Sequence, residues 1–582
     1  MTLKSNVCKQ VYLLLGAMLL GVLLNILLVR YIKHSVFSDF QGIAFYLPGN
    51  TVFKSTLYYS FSNEFLQENK VSSETGINNE LYFKFPKTDI VPTNFRLDFG
   101  NDSSASLVSI DSMGIIYSDK SIVINQKELF SHIIMNSAAI NLNKYERTLG
   151  FNALKSPFDP YIVFDPLIKI LLDYHPLKWV VLLGPFLIFI AFNLKRWSVT
   201  LKLSKVDVLF MAFIVCIPLK IAWTTFVTIL ICAYGIFLAI REKKFDFKNN
   251  DALLLLGFFL VLLIFGRPSS LKVIDHQLAF VLFYFIIATI KWNWNRISRF
   301  YIYFMLVLNA IIVTSGIGFL LSFHDVFGLE VSQYFFEIKT YSGNIREWLY
   351  YDHAVFLTFF GLIGVVLLKD IVNLNRENRG VVMAYHVLLL ATILLVGARI
   401  SLLIYGVFII NLNLKIKPKL RLASNTIVFL SILLFLFKFI GSVDQNRLGL
   451  WSVTWQAIKE KPLLGYGLGS SDQILHQEYF MKKANTVIPE ILNHSHNQFL
   501  TVLLEIGFIG TSLLVILIVV YLKRTGQYKS MPMVLFIFGL CYVFLTESIL
   551  QTSKPLFVLC FLFAMITKIP KSVIPNELDS QA

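Results

Sequence analysis

Two arginines and two histidines stand at the ends of apolar runs, where their side chains could do chemistry. Arg399, in LLVGARISLLIYG, sits between two apolar stretches joined by almost no loop. A guanidinium at that depth is costly unless it is paired or faces water, so it is either a functional group or an arginine that snorkels to the headgroups. Arg447 opens RLGLWSVTWQAIKEKP, where Leu448, Trp451, Trp455 and Ile458 follow at helical spacing. Asp444 or Asn446 can cap the start of that helix, and Pro462 with the glycines of GYGLG ends it. Such a helix can lie along a membrane interface, with Arg447 at the rim of a cavity or on a lipid phosphate. Guanidinium groups suit a diphosphate because their planar donor forks match phosphate oxygens and cannot lose their charge.

His494 and His496 stand in NHSHNQFL, just before a long apolar run. An i, i+2 pair with no third or fourth ligand at a suitable spacing is weak for zinc. One reading is a general base or orienting donor at neutral pH; the other is a polar helix start capped by Asn497. Glu505 and Glu547 fall inside apolar segments, where a carboxylate needs a partner such as Arg399 or Arg447.

The elements that must position these groups are membrane helices. The chain of 582 residues is 56% hydrophobic, holds 53 Phe, and has only 15% charged residues. That excludes an ordinary soluble protein. The net charge of +16 does not point to nucleic acid, because Lys and Arg gather in short clusters between apolar runs. That is the pattern of the positive-inside rule. Cys8, Cys216, Cys232, Cys541 and Cys560 all lie in or beside apolar segments and show neither metal spacing nor a disulfide framework.

Residues 1–33 read as an N-terminal anchor helix around VYLLLGAMLLGVLLNILLV. Residues 34–175 are polar, with alternating segments such as ELYFKF, NFRLDF and SIVI broken by turn residues, which predicts a β-sandwich. From 176 to 441 and again from 498 to 582 the chain is a series of apolar segments, giving about 14 transmembrane helices in all. Among them, 206–240 is either two spans or a re-entrant pair. Every second connection is basic, for example Lys195/Arg196, Arg241/Lys243/Lys244 and Lys523/Arg524, and that side is assigned to the cytoplasm. Both termini then lie inside. The β-rich segment, Arg399, a large polar loop over 442–497 and the two histidines fall on the outer face.

The order GARISLL, NRLGLW…IKEKPLLGYGLGS, HSHNQFLTVLLEIGFIG and LTESIL resembles the O-antigen ligase and polymerase family, over roughly residues 350–565. The resemblance implies an all-α, polytopic, GT-C-like membrane glycosyltransferase of the bacterial inner membrane. Its N-terminal β-sandwich is an extracytoplasmic insertion and its active site faces the periplasm. The family's functional arginines and histidine map onto Arg399, Arg447 and His496, supported by His494, Asn497, Trp451, Glu505 and Glu547. The serine that precedes the first arginine in the family is Ala398 here. The implied reaction moves a glycan from an undecaprenyl-diphosphate carrier to a hydroxyl of lipid A core, of another glycan repeat or of a protein. It inverts the anomeric carbon and uses no cofactor or metal; the outward loops contain no D-x-D pattern. The rival reading is a lipid-linked sugar flippase or exporter. Such transporters bury ionisable residues near the midplane of related halves, whereas here the charges gather at the outer rim and no internal repeat is seen.

Overall fold

The computed structural model describes residues 2–47, 55–60, 70–72, 74–75, 80–85, 94–99, 107–117, 121–131, 133–136, 140–143, 148–151, 161–164, 180–181, 183–188, 204–218, 221–242, 257, 261, 264, 282–284, 286–287, 290, 292–321, 354–374, 379–413, 445–471, 473–475, 495–527, 530–546, 548 and 553–567. His494 and Glu547 lie outside the described residues, as do the predicted apolar segment 424–441 and most of those at 177–194, 252–266 and 274–290.

The chain divides into two compact units, one of them built from residues 15–190 and 314–337. Helix α1 (Thr2–Asp39) runs straight into strand β1 (Phe40–Tyr46). Its apolar stretch Tyr12–Ile32 is long enough to cross a membrane. A Cβ on Gly21 would meet Thr314 at 2.6 Å, and one on Gly318 would meet Asn25 at 2.8 Å, so paired small residues let two helices close on each other. Asn25 returns its own amide to the Gly21 carbonyl at 2.8 Å.

The β-rich part holds two five-stranded antiparallel sheets and a three-stranded one. The first sheet runs β4 (Glu74–Thr75), β5 (Glu80–Lys84), β1, β8 (Ser112–Tyr117), β9 (Ser121–Asn125). The second runs β10 (Ile133–Asn136), β13 (Tyr161–Phe164), β6 (Asn94–Asp98), β2 (Thr56–Ser60), β3 (Lys70–Ser72). The third runs β11 (Ile140–Asn143), β12 (Thr148–Phe151), β7 (Leu107–Ser109), and the short helix α2 (Gln126–Ser131) follows β9. The two five-stranded sheets pack face to face. Phe45 stacks on Phe164 with ring centroids 5.5 Å apart, and Phe85 meets Phe95 edge-on at 5.8 Å. The period-two alternation that predicts strands is what fills this core, since Leu81, Phe83, Phe95 and Leu97 are all buried. The intervening Arg96 instead pairs with Asp98 at 2.7 Å and lies 3.9 Å over the Tyr161 ring.

The other unit is helical. Helices α3 (Lys205–Cys216) and α4 (Ile221–Glu242) pack as a pair. Ser204 and Asp207 form a capping box at the start of α3. The buried Asp207 carboxylate also accepts from the Asn293 backbone and from Arg296, the latter at 3.4 Å, beside the start of α5 (Trp294–Leu321). The remaining helices are α6 (Ala354–Leu374), α7 (Arg379–Val396), α8 (Arg399–Asn413), α9 (Gln445–Glu460), α10 (Gln498–Thr525), α11 (Met531–Thr546) and α12 (Ser553–Thr567). Helices α6, α7, α8 and α11 pack together. Tyr385 donates to the Gly361 carbonyl at 2.8 Å, and a Cβ on Gly539 would touch Phe359 and Phe408.

Of the spans expected from the sequence, three described helices have both the length and the apolarity to cross a membrane: Tyr12–Ile32, Trp294–Gly318 and Gln498–Thr525. Several further apolar helices are shorter, at 10–17 residues. The turn between α7 and α8 shows why. Gly397 N–H bonds to Leu394 O and Ala398 N–H to Ile393 O, a Schellman closure that stops α7 and lets α8 begin one residue later. The chain is mostly helical and has the apolar helices of a membrane protein.

Candidate active site

Arg399 is the first residue of α8, directly after the Schellman turn. Two residues on, the buried Ser401 shares a short hydroxyl–hydroxyl bond with Thr358 of α6, which fixes how this end of α8 is rotated. Ala398 is itself buried, so this position packs rather than presenting a polar group. Arg447 lies in the first turn of α9, whose register follows from its apolar face. Leu450, Val453, Ala457 and Ile458 are buried together with Leu475 and with Leu504 of α10. Ser452, Gln456 and Lys459 face outward. The described side chains therefore place an amphipathic helix against the N-terminal half of α10.

His496 sits at the entrance to α10 in a backbone conformation that a side chain rarely adopts. Its φ is 50°, the one left-handed value among the described non-glycine residues. Holding such a residue costs on the order of 1–3 kcal/mol and requires the surroundings to over-determine it. They do so here. Ser495 Oγ donates to the Asn497 carbonyl at 2.8 Å and accepts from the Asn497 N–H at 3.2 Å, closing a loop around His496. Asn497 caps α10, its side chain accepting from Leu500 N–H at 3.1 Å. Ser495 Oγ also meets Thr501 Oγ1 at 2.9 Å, and Thr501 meets Ser548 Oγ at 3.1 Å. Ser495, Asn497, Thr501 and Ser548 are buried while the imidazole between them is half-buried, so this network presents His496 and conceals its own members.

Trp451, one helical turn after Arg447, joins the two parts. Its indole N–H donates to the Ser495 carbonyl at 2.9 Å. The structure thus brings the helix that carries Arg447 to the residue preceding His496. Helix α8, which begins with Arg399, packs on α11, and α11 packs on α10. Glu505 is buried in α10, two residues before a break in that helix, and its carbonyl accepts from Gly467 N–H at 2.8 Å. Among the described residues no three His, Cys, Asp or Glu side chains gather closely enough to hold a metal ion. Apart from α11, Ser548 and the C-terminal part of α10, these elements fall inside one stretch of chain. Residues 354–515 match the O-antigen ligase family.

The segment that matches this family runs from the start of α6 through the break in α10. Two relatives of the chain are proposed polysaccharide ligases. One is from Rickettsia conorii, 37% identical over 86 residues, 15% of this chain and 21% of that protein. The other is from Rickettsia felis, 37% identical over 87 residues with the same shares. The chain thus spans about a fifth of the length of the curated relatives it matches (21% in each).

Sequence reasoning missed two features of this segment. The hydroxyl network through Ser495, Thr501 and Ser548 is spread over turns and helices, and no spacing announces it. The second is the break at Gly507, where a glycine within an apolar run reads only as a small packing residue. Removing the tryptophan's donor tests the network. Trp451→Phe keeps an aromatic side chain, gives up part of the indole's bulk and loses one hydrogen bond, worth about 1 kcal/mol. It is expected to lower the transfer rate about fivefold with unchanged protein in the membrane, the loss falling on kcat rather than on KM for the donor. An equal loss on Gln456→Ala, a change on the exposed face of the same helix, would mean that α9 is merely fragile.

Proposed function

We propose that the protein transfers a glycan from an undecaprenyl-diphosphate carrier to an acceptor hydroxyl, at the periplasmic face of the bacterial inner membrane and with both chain termini in the cytoplasm. The observation that carries this reading is the coupling of the Arg447 helix, through Trp451, to a histidine held in a left-handed conformation at the mouth of a membrane helix. The match of this segment to the O-antigen ligase family supports it.

In the reaction the C1–O bond to the diphosphate breaks as the acceptor oxygen attacks C1 from the opposite side, so the anomeric carbon inverts. Arg399 and Arg447 stabilise the charge that develops on the leaving diphosphate, the chief electrostatic demand of the step. His496 orients the acceptor hydroxyl and takes its proton. Its half-exposed ring beside a buried hydroxyl network suits a base that must meet a second substrate. The cations do the work that a divalent metal performs elsewhere, and no metal is assigned to the step. The β-sandwich would then stand outside the membrane. The acceptor is lipid A core, another repeat or a protein hydroxyl. The test uses the full chain purified in detergent. Undecaprenyl-diphosphate-linked glycan plus acceptor should release undecaprenyl diphosphate without a bilayer. Movement of the intact donor across vesicles with no release of the carrier would replace the transferase by a flippase.

A further inference from the structure

Helix α10 is interrupted well inside its length, and the segment after α9 fills the interruption. Gly507 has φ 64° and ψ −174°, which takes the chain out of helical geometry. It lies nine residues after Gln498 (507 − 498), about 14 Å along the axis at the usual rise per residue. The break would leave backbone groups unpaired, and the loop 462–467 pairs them. Tyr466 N–H donates to Leu504 O at 2.9 Å, Gly467 N–H to Glu505 O at 2.8 Å, Phe508 N–H to Pro462 O at 2.8 Å and Ile509 N–H to Leu463 O at 3.1 Å. Gly465 N–H closes back on Lys461 O at 3.1 Å.

The tip of this loop is apolar and open. Leu463 is 60% exposed and Leu464 54%, beside Phe508 and Ile509 at 44% and 42%. This surface continues into the exposed face of α10 formed by Leu513, Val515 and Ile516, which belongs to a helix apolar enough to span a membrane. Two cations precede the tip. Lys459 and Lys461 are both exposed, and Lys461 Nζ rests 4.5 Å over the Tyr466 ring.

We propose that residues 461–467 form a re-entrant hairpin whose Leu463–Leu464 tip is buried among the acyl chains of the bilayer leaflet nearer the start of α10. Irregular backbone survives at membrane depth only where its polar groups are paired, and here the broken helix and the loop pair each other's. Two adjacent leucines at a loop tip, continuous with a lipid-facing helix, match hydrocarbon. The two lysines just before the tip match the headgroup phosphates, to which their stems can reach. Part of the 442–497 segment, read from the sequence as a large polar loop on the outer face, thus enters the membrane. The inference stands on this geometry and not on the transfer reaction.

The test places benzoylphenylalanine at position 463 or 464 of the full chain, with position 452 on the exposed face of α9 as the comparison. The protein is reconstituted in vesicles of phosphatidylethanolamine and phosphatidylglycerol, irradiated, and digested for mass spectrometry. Phospholipid adducts are expected at 463 and 464 and are expected to be lost at 452. Crosslinks from 464 to a second polypeptide would reassign the tip to a protein interface. A tip that gives no more phospholipid adduct than position 452 would place it in water. Either result overturns the proposal.

Discussion

Arg447→Ala and Arg399→Ala are each expected to abolish glycan transfer in cells while leaving the protein in the membrane at the wild-type level. With purified protein the loss should be about 10²–10³-fold per arginine, the usual consequence of removing one donor that stabilises charge on a leaving or attacking oxygen. Arg399 begins its helix at a turn two residues long, and Arg447 lies in the first turn of a helix whose next turn is tied to the His496 loop. Both residues are at helix starts, where the unpaired N–H groups and the helix dipole favour an anion, as the proposed contact with a diphosphate requires. Lys in place of either should restore little, because a point charge does not reproduce a two-pronged contact with phosphate oxygens. If these arginines served only to hold lipid headgroups, Lys would suffice and neither Ala variant would alter the surface glycan. Wild-type-like glycan on cells carrying Arg399→Ala or Arg447→Ala would therefore end the proposed mechanism.

How legible such a site is in the sequence depends on the range of the forces that build it. The α9 helix could be read because its spacing and its ending at Pro462 are local, and the structure runs it over Gln445–Glu460. The turn before Arg399 could be read because two apolar runs meet at Gly397 with no polar residues to spare. The strands could be read from alternation, as at Leu81 and Phe83. Their order could not, since β1 pairs with β5 and β8 rather than with its sequence neighbour β2. That choice is made by contacts distant in the chain, such as Phe45 on Phe164. The left-handed His496 was equally hidden, because a non-glycine residue adopts φ 50° only uncommonly and here does so within the loop that Ser495 and Asn497 close. Hydropathy alone does not separate full spans from shorter helices: among the described residues three helices are long and apolar enough to cross a membrane and several are shorter. It records how long an apolar run is, not where a turn or a glycine divides it.

Gly507→Ala is expected to cost more stability than any other single methyl added in this segment. Two penalties fall at one place. The φ and ψ of Gly507 lie in a region that is essentially restricted to glycine, at a strain of about 1–3 kcal/mol. An added Cβ would also strike the backbone carbonyl of Leu463, which cannot rotate away as a side chain could. Relieving that clash means separating loop from helix and unpairing Leu504 O, Glu505 O, Phe508 N–H and Ile509 N–H, each at about 1–3 kcal/mol where water is excluded. Gly465 mirrors the arrangement, with φ 66° and a Cβ position 2.5 Å from the Glu505 carbonyl. Either Ala variant should lower the melting temperature in detergent by many degrees and reduce transfer with it, since α9 and α10 would no longer hold the Arg447 and His496 elements together. Gly406→Ala is the control: a helical position with nothing within 4 Å, where Ala should be neutral or stabilising by up to about 1 kcal/mol. Because Gly465 and Gly507 guard the same contact, the double variant should be scarcely less stable than the worse single one. Strictly additive losses would show that each glycine answers a separate local strain and that the loop does not clasp the helix.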